Sequence, residues 1–200
     1  MIERFSFHKA ENESSIPAYK DFIGKFPNAD LAKTAELRIK KSAMAVLSRI
    51  KNPRKSTLLI DCLIHDKNRV KMSAARIMGE IRERRAVASL IQILNNRFVQ
   101  KDVVWALGRI KDTKAVESLL SLLKRTRGPY DSKDKEVIDA LGEIGDRRAV
   151  EPLLNILKKA QENNNTYIKR AATQALRKIT GQKFKEEYEI WAAWWKKNKY

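Results

Sequence analysis

Several residue types that carry chemistry are scarce in this 200-residue sequence, which has one cysteine, Cys62, and two histidines, His8 and His65. A single thiol cannot form an intramolecular disulfide, and so few thiols and imidazoles do not make up a zinc site. Only seven glycines and five prolines interrupt the chain, and no glycine-rich phosphate loop or cysteine–histidine nucleophile pair is visible. We therefore expect no metal site, no cofactor and no conventional active site.

Long apolar runs are also missing. No stretch of 18 apolar residues occurs, and the N-terminal segment MIERFSFHKA lacks the apolar centre of a signal peptide. Together with the single cysteine, this predicts a cytoplasmic protein of bacterial type without a membrane span.

Positive charge, in contrast, is abundant. The sequence has 42 lysines and arginines against 24 acidic residues, for a formal net charge of +18. An excess of this size favours an anionic partner or surface. Alanine, leucine, isoleucine, lysine, arginine and glutamate dominate the composition, which favours helices over strands.

A repeated segment organises the chain. Its four full copies are AVLSRIKNPRKS at 45–56, RIMGEIRERRAV at 76–87, WALGRIKDTKAV at 105–116 and DALGEIGDRRAV at 139–150, and QALRKITGQKF at 174–184 is a partial fifth. Apolar residues follow helical spacing, as Val150, Leu153 and Leu157 do. The repeat predicts pairs of helices with turns near residues 51, 82, 111, 145 and 181.

The turns carry residues that suit the ends of helices. Asn52, Asp112 and Asp146 can cap the second helix of a pair, and Glu83 is a poorer cap at the same place. Gly145 can supply a left-handed residue that ends the first helix. Three further glycines occupy one position inside the first helix, and we expect them to allow close contact between helices: Gly79, Gly108 and Gly142.

The segment LGEIGDRRAVEPLLNIL at 141–157 resembles the HEAT-like repeat of phycobilisome lyases, and residues 39–181 fit that pattern over most of their length. The resemblance implies an all-α fold, an α-solenoid of about five HEAT-like helix pairs. In such a solenoid the pairs stack into a right-handed superhelix, and the second helices line its concave side.

The two ends of the chain differ from the repeats. Residues 1–38 contain a segment similar to a tetratricopeptide-like unit, which we expect to cap the array at its N-terminus. Residues 182–200 resemble the terminating helix of bacterial HEAT arrays. There Trp191, Trp194 and Trp195 fall on one helix face and are expected to seal the last repeat.

One cation opens the second helix of each full copy, at Arg54, Arg85, Lys114 and Arg148. Stacked about 8–10 Å apart, these side chains would form a basic row able to bind nucleic acid or another polyanion. Alternatively, they belong to the repeat pattern and pair with carboxylates of neighbouring turns. The cations of the first helices, among them Lys101, are interpreted as a solvated face.

Trp105 is an unusual aromatic residue, because the other copies have mostly polar residues at its position: Ala45, Arg76, Asp139 and Gln174. We expect it to be exposed, with Phe98 seven residues earlier on the same helical face. Such a pair is a candidate hot spot for protein binding. Alternatively, the long connection at 124–132 folds over it.

These observations predict a non-enzymatic scaffold for protein–protein interaction that uses the solenoid surface. Binding of nucleic acid or another polyanion through the basic row is the alternative. Cys62 aligns with Ile93, Leu122 and Ile156 in the other copies, so it is predicted to be a small core residue and not a redox group.

Overall fold

The structure is a computed structural model that describes residues 25, 59–64, 68–125 and 130–199. The chain divides into two units, residues 1–53 and 54–200, and every element described below belongs to the second. Apart from Lys25, the predicted cap at 1–38 lies outside the described residues, and so does Arg54.

Helices and turns make up the described residues, which contain no strand. The α-helices from residue 68 onwards are α1 Asn68–Glu80, α2 Val87–Ile93, α3 Gln100–Ile110, α4 Val116–Lys124, α5 Ser132–Ile144, α6 Val150–Glu162, α7 Thr166–Thr180 and α8 Tyr188–Asn198. Short 3₁₀ turns lie at Cys62–Ile64, Arg84–Ala86, Thr113–Ala115 and Arg147–Ala149. The predicted turns near residues 82, 111, 145 and 181 are present, and the one near residue 51 lies outside the described residues.

Each first helix ends at a residue with left-handed backbone. Gly145 and Gly181 adopt φ values of +78° and +75°, which glycine reaches without steric cost. Arg82 and Lys111 hold the equivalent position in the earlier pairs at φ 52° and 58°. Because Arg82 and Lys111 carry a Cβ atom, these two turns are more strained than the glycine turns.

A carboxylate then caps the 3₁₀ turn that leads into the second helix. Asp112 and Asp146 accept hydrogen bonds from the backbone N–H two residues further on, at 3.0 and 2.9 Å. Glu83 makes the same bond at 3.2 Å. The expectation that Glu83 caps less well agrees with this longer distance, but the longer side chain still reaches the orphan donor.

The helices form two layers. The first helices α1, α3, α5 and α7 lie side by side in chain order, and each second helix packs on the first helix of the next pair. The core fills the space between the layers. Its equivalent positions in successive pairs, all fully buried, are Met78, Leu107, Leu141 and Leu176 in the first helices and Leu90, Leu119 and Leu153 in the second.

Close contact between first helices depends on the repeated glycine. A Cβ atom added to Gly108 would lie 3.0 Å from Ala140 Cα, and one added to Gly142 would lie 2.8 Å from Ala175 Cα. The contact at Gly142 is too short for any Cβ atom, and a Cβ atom at Gly108 would require the neighbouring helix to shift by a few tenths of an ångström. The predicted reason for the glycines is therefore confirmed.

The last helix covers the end of the stack. Helix α8 packs on α6, and Trp191 is 0% exposed. Its indole Nε1–H donates to the Lys185 carbonyl at 2.8 Å, and its ring meets Phe184 edge-on with centroids 5.1 Å apart. Of the three tryptophans predicted to seal the array, Trp191 is buried, whereas Trp194 and Trp195 are half-buried.

Cys62 is half-buried, which corrects its assignment to the core. It lies in the short 3₁₀ turn Cys62–Ile64, and the aligned residues Ile93 and Leu122 are half-buried too. The aligned position therefore marks the margin of the core in most copies.

Candidate interaction surface

The predicted basic row lies at the turns that join the two helices of each pair. In the turn between α5 and α6, Arg148 forms a forked contact with Asp146, with Nε–Oδ1 at 3.0 Å and Nη2–Oδ2 at 2.7 Å. Arg85 contacts Glu83 in the same way, with Nε–Oε1 at 3.0 Å and Nη2–Oε2 at 2.9 Å. The hydrogen bond from Arg148 holds the pKa of the Asp146 carboxyl below its usual value, which shows that the carboxylate form is favoured there.

Some of these contacts cross between neighbouring pairs. Arg148 also donates from Nη2 to the Thr113 carbonyl at 3.0 Å and lies 3.6 Å from Glu117. One pair earlier, the Nε–H of Arg84 donates to Asp112 at 3.1 Å. We call the side of the solenoid formed by the turns within each helix pair the turn edge. Arginine and aspartate side chains from consecutive repeats link these turns.

Two of the four cations in the row are thus engaged within the molecule. Arg85 and Arg148 each pair with a carboxylate of their own turn, whereas the alternative interpretation expected carboxylates of neighbouring turns. Lys114 is exposed and forms no ion pair with any described residue. Arg54 lies outside the described residues. A phosphate that bound at Arg85 or Arg148 would have to compete with an existing bidentate carboxylate.

Trp105 lies on the outer surface of α3 and is 40% exposed. Its Cζ3 atom is so close to α1 that a Cβ atom added to Gly79 would come within 2.7 Å of it. The guanidinium carbon of Arg109 lies 5.9 Å from the ring centroid. Trp105 is therefore exposed, as predicted, and is held between a glycine and a cation.

Phe98 is 76% exposed, but it does not belong to the helix. It lies in the turn before α3, where its backbone N–H donates to Asn96 Oδ1 at 3.0 Å. Phe98 therefore does not share a helical face with Trp105, contrary to the prediction, because α3 begins only at Gln100. In the connection expected to cover Trp105, residues 126–129 lie outside the described residues.

Sequence reasoning missed the pairing of first-helix cations. Lys101 lies 2.7 Å from Glu136 in the next first helix, and Arg76 pairs with the buried Asp102. No signal in a single sequence identifies these partners, because they are far apart along the chain. We call the exposed side of the first helices the outer face. Its cations form ion pairs between neighbouring helices and are not simply a solvated set of lysines.

Glu143 pairs with two lysines at once. Its two carboxylate oxygens receive Lys178 Nζ at 2.7 Å and Lys111 Nζ at 2.8 Å, from the following and the preceding pair. Hydrogen bonds from Lys111 and then Lys178 lower the pKa of Glu143 from 4.5 to about 2. One carboxylate therefore links three consecutive pairs.

We predict that Glu143→Gln lowers stability at neutral pH by about 1 kcal/mol, a value reduced for solvent screening because 36% of the side chain is exposed. Since folding depresses the pKa, the stabilisation is present above about pH 4.5 and is lost as the pH falls towards 2. Urea titrations across this range should show a difference between wild type and variant that shrinks with acid. Glu162→Gln, whose carboxylate lies 4.0 Å from Lys158, is the control and should change stability by less than about 0.5 kcal/mol. A difference that does not depend on pH would contradict the assignment.

The described residues contain no group of three or more histidine, cysteine, aspartate or glutamate side chains placed to hold a metal ion. Within the same part of the chain, no helix has the length and apolar character needed to cross a bilayer.

Antiparallel helix pairs stack in register, and successive pairs repeat the same glycine contact and the same kind of turn. This arrangement is an α-solenoid, as predicted. Residues 65–131 match the model for HEAT repeats, and residues 135–159 match the PBS lyase HEAT-like repeat. These two stretches of the chain therefore consist of HEAT repeats. The matched residues do not include the segment that resembles a tetratricopeptide-like unit. A search of curated proteins found no match.

Proposed function

We propose that this chain is a non-enzymatic scaffold that holds a protein partner on the outer face of the solenoid, around Trp105. HEAT repeats are generally protein-interaction scaffolds. The observation that carries the proposal is a large aromatic side chain, 40% exposed, at a position where the equivalent residues are mostly polar. The single cysteine is in keeping with a cytoplasmic location.

Trp105 has the properties of a binding anchor. Its ring rests on Gly79 and is flanked by Arg109, so few rotamers are open to it. A side chain that is already ordered loses little conformational entropy when a partner covers it. Tryptophan is also among the residues that contribute most to binding free energy at interfaces.

The surroundings of Trp105 suit the polar rim of an interface. Arg76, which has the equivalent position one pair earlier, is half-exposed and pairs with Asp102. Charges that are already paired lose little solvation free energy when a partner covers them. Around Trp105 they would exclude water from the centre of the interface. Polyanion binding by the basic row has less support, because Arg85 and Arg148 already hold carboxylates.

We predict that Trp105→Ala weakens binding of a captured protein partner by about 30-fold or more, the loss of about 2 kcal/mol that defines a hot spot. The partner would be isolated with the wild-type chain and its dissociation constant measured by titration against each variant. Trp105→Phe should retain part of the affinity, because the ring still packs on Gly79.

Gln174→Ala is the matched control, since Gln174 is exposed at the equivalent position of α7. It should leave the affinity unchanged. Circular dichroism and thermal melting would establish that each variant is folded. If Trp105→Ala binds every captured partner as tightly as wild type does, the assignment of Trp105 is wrong.

A further inference from the structure

A second group of exposed cations lies on the edge of the solenoid opposite the basic row. We call it the connecting edge, and it comprises the described residues at the ends of α2, α4 and α6 and at or just before the starts of α3, α5 and α7. Five exposed cations there form no ion pair with any described residue: Arg97, Lys124, Arg125, Lys133 and Lys159. At the turn edge, Arg84, Arg85 and Arg148 hold carboxylates, whereas Arg82 and Lys114 form no ion pair with a described residue.

Hydrogen bonds between repeats hold the connecting edge together. Arg125 Nη1 donates to Asn95 Oδ1 at 2.7 Å, which joins the end of α4 to the turn after α2. One pair further on, Asn165 Nδ2 donates to the Tyr130 carbonyl at 3.1 Å. These contacts place the described ends of successive repeats next to one another.

The helix dipole explains only some of these charges. Lys124 and Lys159 lie in or near the last turn of a second helix, where a cation is favourable. Lys133 lies in the first turn of α5, where a positive charge opposes the dipole, and Arg97 lies in the turn just before α3. These like charges form no ion pairs with described residues, and the helix dipole stabilises only some of them. Such a set of charges points to an anionic ligand.

Exposed aromatic rings accompany the cations. Phe98 follows Arg97 directly and is 76% exposed, and Tyr167, at the aligned position but in the first turn of α7, is 52% exposed. Lys135 Nζ lies 5.7 Å from the Tyr167 ring centroid. Neither ring contributes much to the core, so the fold itself does not account for them.

We propose that the connecting edge binds single-stranded nucleic acid, with the five cations contacting phosphates and Phe98 and Tyr167 stacking on bases. Interleaved cations and aromatic rings are what sequence-tolerant binding of single strands requires, since every base offers a flat face. A duplex hides those faces. This site is distinct from the outer face around Trp105, so either proposal can fail without the other.

The test is fluorescence anisotropy with the full chain and labelled single-stranded DNA and RNA of mixed sequence, across a series of salt concentrations. Wild type should bind single strands more tightly than the matching duplex. Phe98→Ala should weaken binding by about 5- to 150-fold, the range for loss of one stacking contact. Phe98→Tyr should restore it. Since Phe98 is so exposed, none of these changes should alter thermal melting.

A charge-matched pair of double variants separates the edge from the net charge. Lys124→Gln with Lys159→Gln should reduce the slope of log affinity against log salt by about 1.4, or about 0.7 for each phosphate contact to a single strand. Arg82→Gln with Lys114→Gln removes the same charge at the turn edge, where neither residue forms an ion pair with a described residue. This control should leave the slope nearly unchanged.

Equal slopes in the two double variants would overturn the proposal, because binding would then depend on overall charge. It would also be overturned if duplex DNA, phosphatidylserine vesicles or polyglutamate bound as tightly as the single strand. A Phe98→Ala variant that binds like wild type would exclude stacking at the edge and contradict the site.

Discussion

Replacing Trp191 with alanine is expected to lower the stability of the solenoid's C-terminal end by about 3–5 kcal/mol. The indole is fully buried, and its Nε1–H donates to the Lys185 carbonyl at 2.8 Å. Truncation removes the apolar contacts, leaves a cavity between α8 and α6, and breaks the edge-on contact with Phe184. Each of these losses is destabilising, and all fall on one interface.

The effect should begin locally, because the stability of a repeat protein is close to a sum over neighbouring contacts. Helix α8 is therefore expected to separate from α6 before the rest of the array unfolds. Amide hydrogen exchange should show lost protection in α8 and α6, with α1 and α3 unaffected, and urea titration should show a lower midpoint or an added early transition.

Ile190→Ala is the control for Trp191→Ala, since the neighbouring isoleucine is exposed on the same helix. Its cost should stay below about 1 kcal/mol. Should Trp191→Ala unfold at the same urea concentration as Ile190→Ala, α8 would not be the cap that the structure describes.

A second large loss, about 3 kcal/mol, is expected for Gly142→Val. The Cβ atom would come within 2.8 Å of Ala175 Cα and 2.9 Å of Ala175 Cβ, and the two added methyl groups would force α5 and α7 apart. Because α5 and α7 contribute to the cores of two neighbouring pairs, moving them apart would disrupt the packing of both cores. Gly142→Ala should cost less, about 1–2 kcal/mol, because only the Cβ atom must be accommodated.

The sign of the alanine result is diagnostic. At an exposed helical position, glycine to alanine stabilises a helix by about 1 kcal/mol, so a net loss at Gly142 must come from the contact with α7. Thermal and chemical unfolding would measure it. Gln174→Ala, on the exposed side of α7, should lie within about 0.5 kcal/mol of wild type. If Gly142→Ala is more stable than wild type, the first helices do not pack as closely as described.

Much of the repeat architecture follows from short-range patterns. Leu107 and Leu119 belong to the apolar spacing of one pair, and both are fully buried. Asp112 caps the turn between them through the backbone N–H of Lys114, two residues away. Interactions of this range are encoded in neighbouring residues, which is why a single sequence predicts the helices, the turns and the face each helix buries.

The exposure of Phe98 and Trp105 was predicted correctly, but the prediction that they share a helical face was wrong. The alignment of the copies shows that both positions face outwards, because the equivalent residues are mostly polar. It does not show where α3 begins. The Asn96 side chain bonds the N–H of Phe98 and holds it in a turn, so Phe98 belongs to the connecting edge and Trp105 to the outer face.

By itself, the sequence determined that this protein is a stack of helix pairs with glycine contacts, defined turns and a net charge of +18. Only the tertiary structure decided where that charge is neutralised. Glu143 meets Lys178 from 35 residues further on, and Arg148 bonds the Thr113 carbonyl 35 residues back. Such pairs form because stacking brings one repeat against the next, and a long side chain can reach several partners there. Helical periodicity specifies which face a residue occupies, whereas the three-dimensional stack specifies which opposite charge lies within reach.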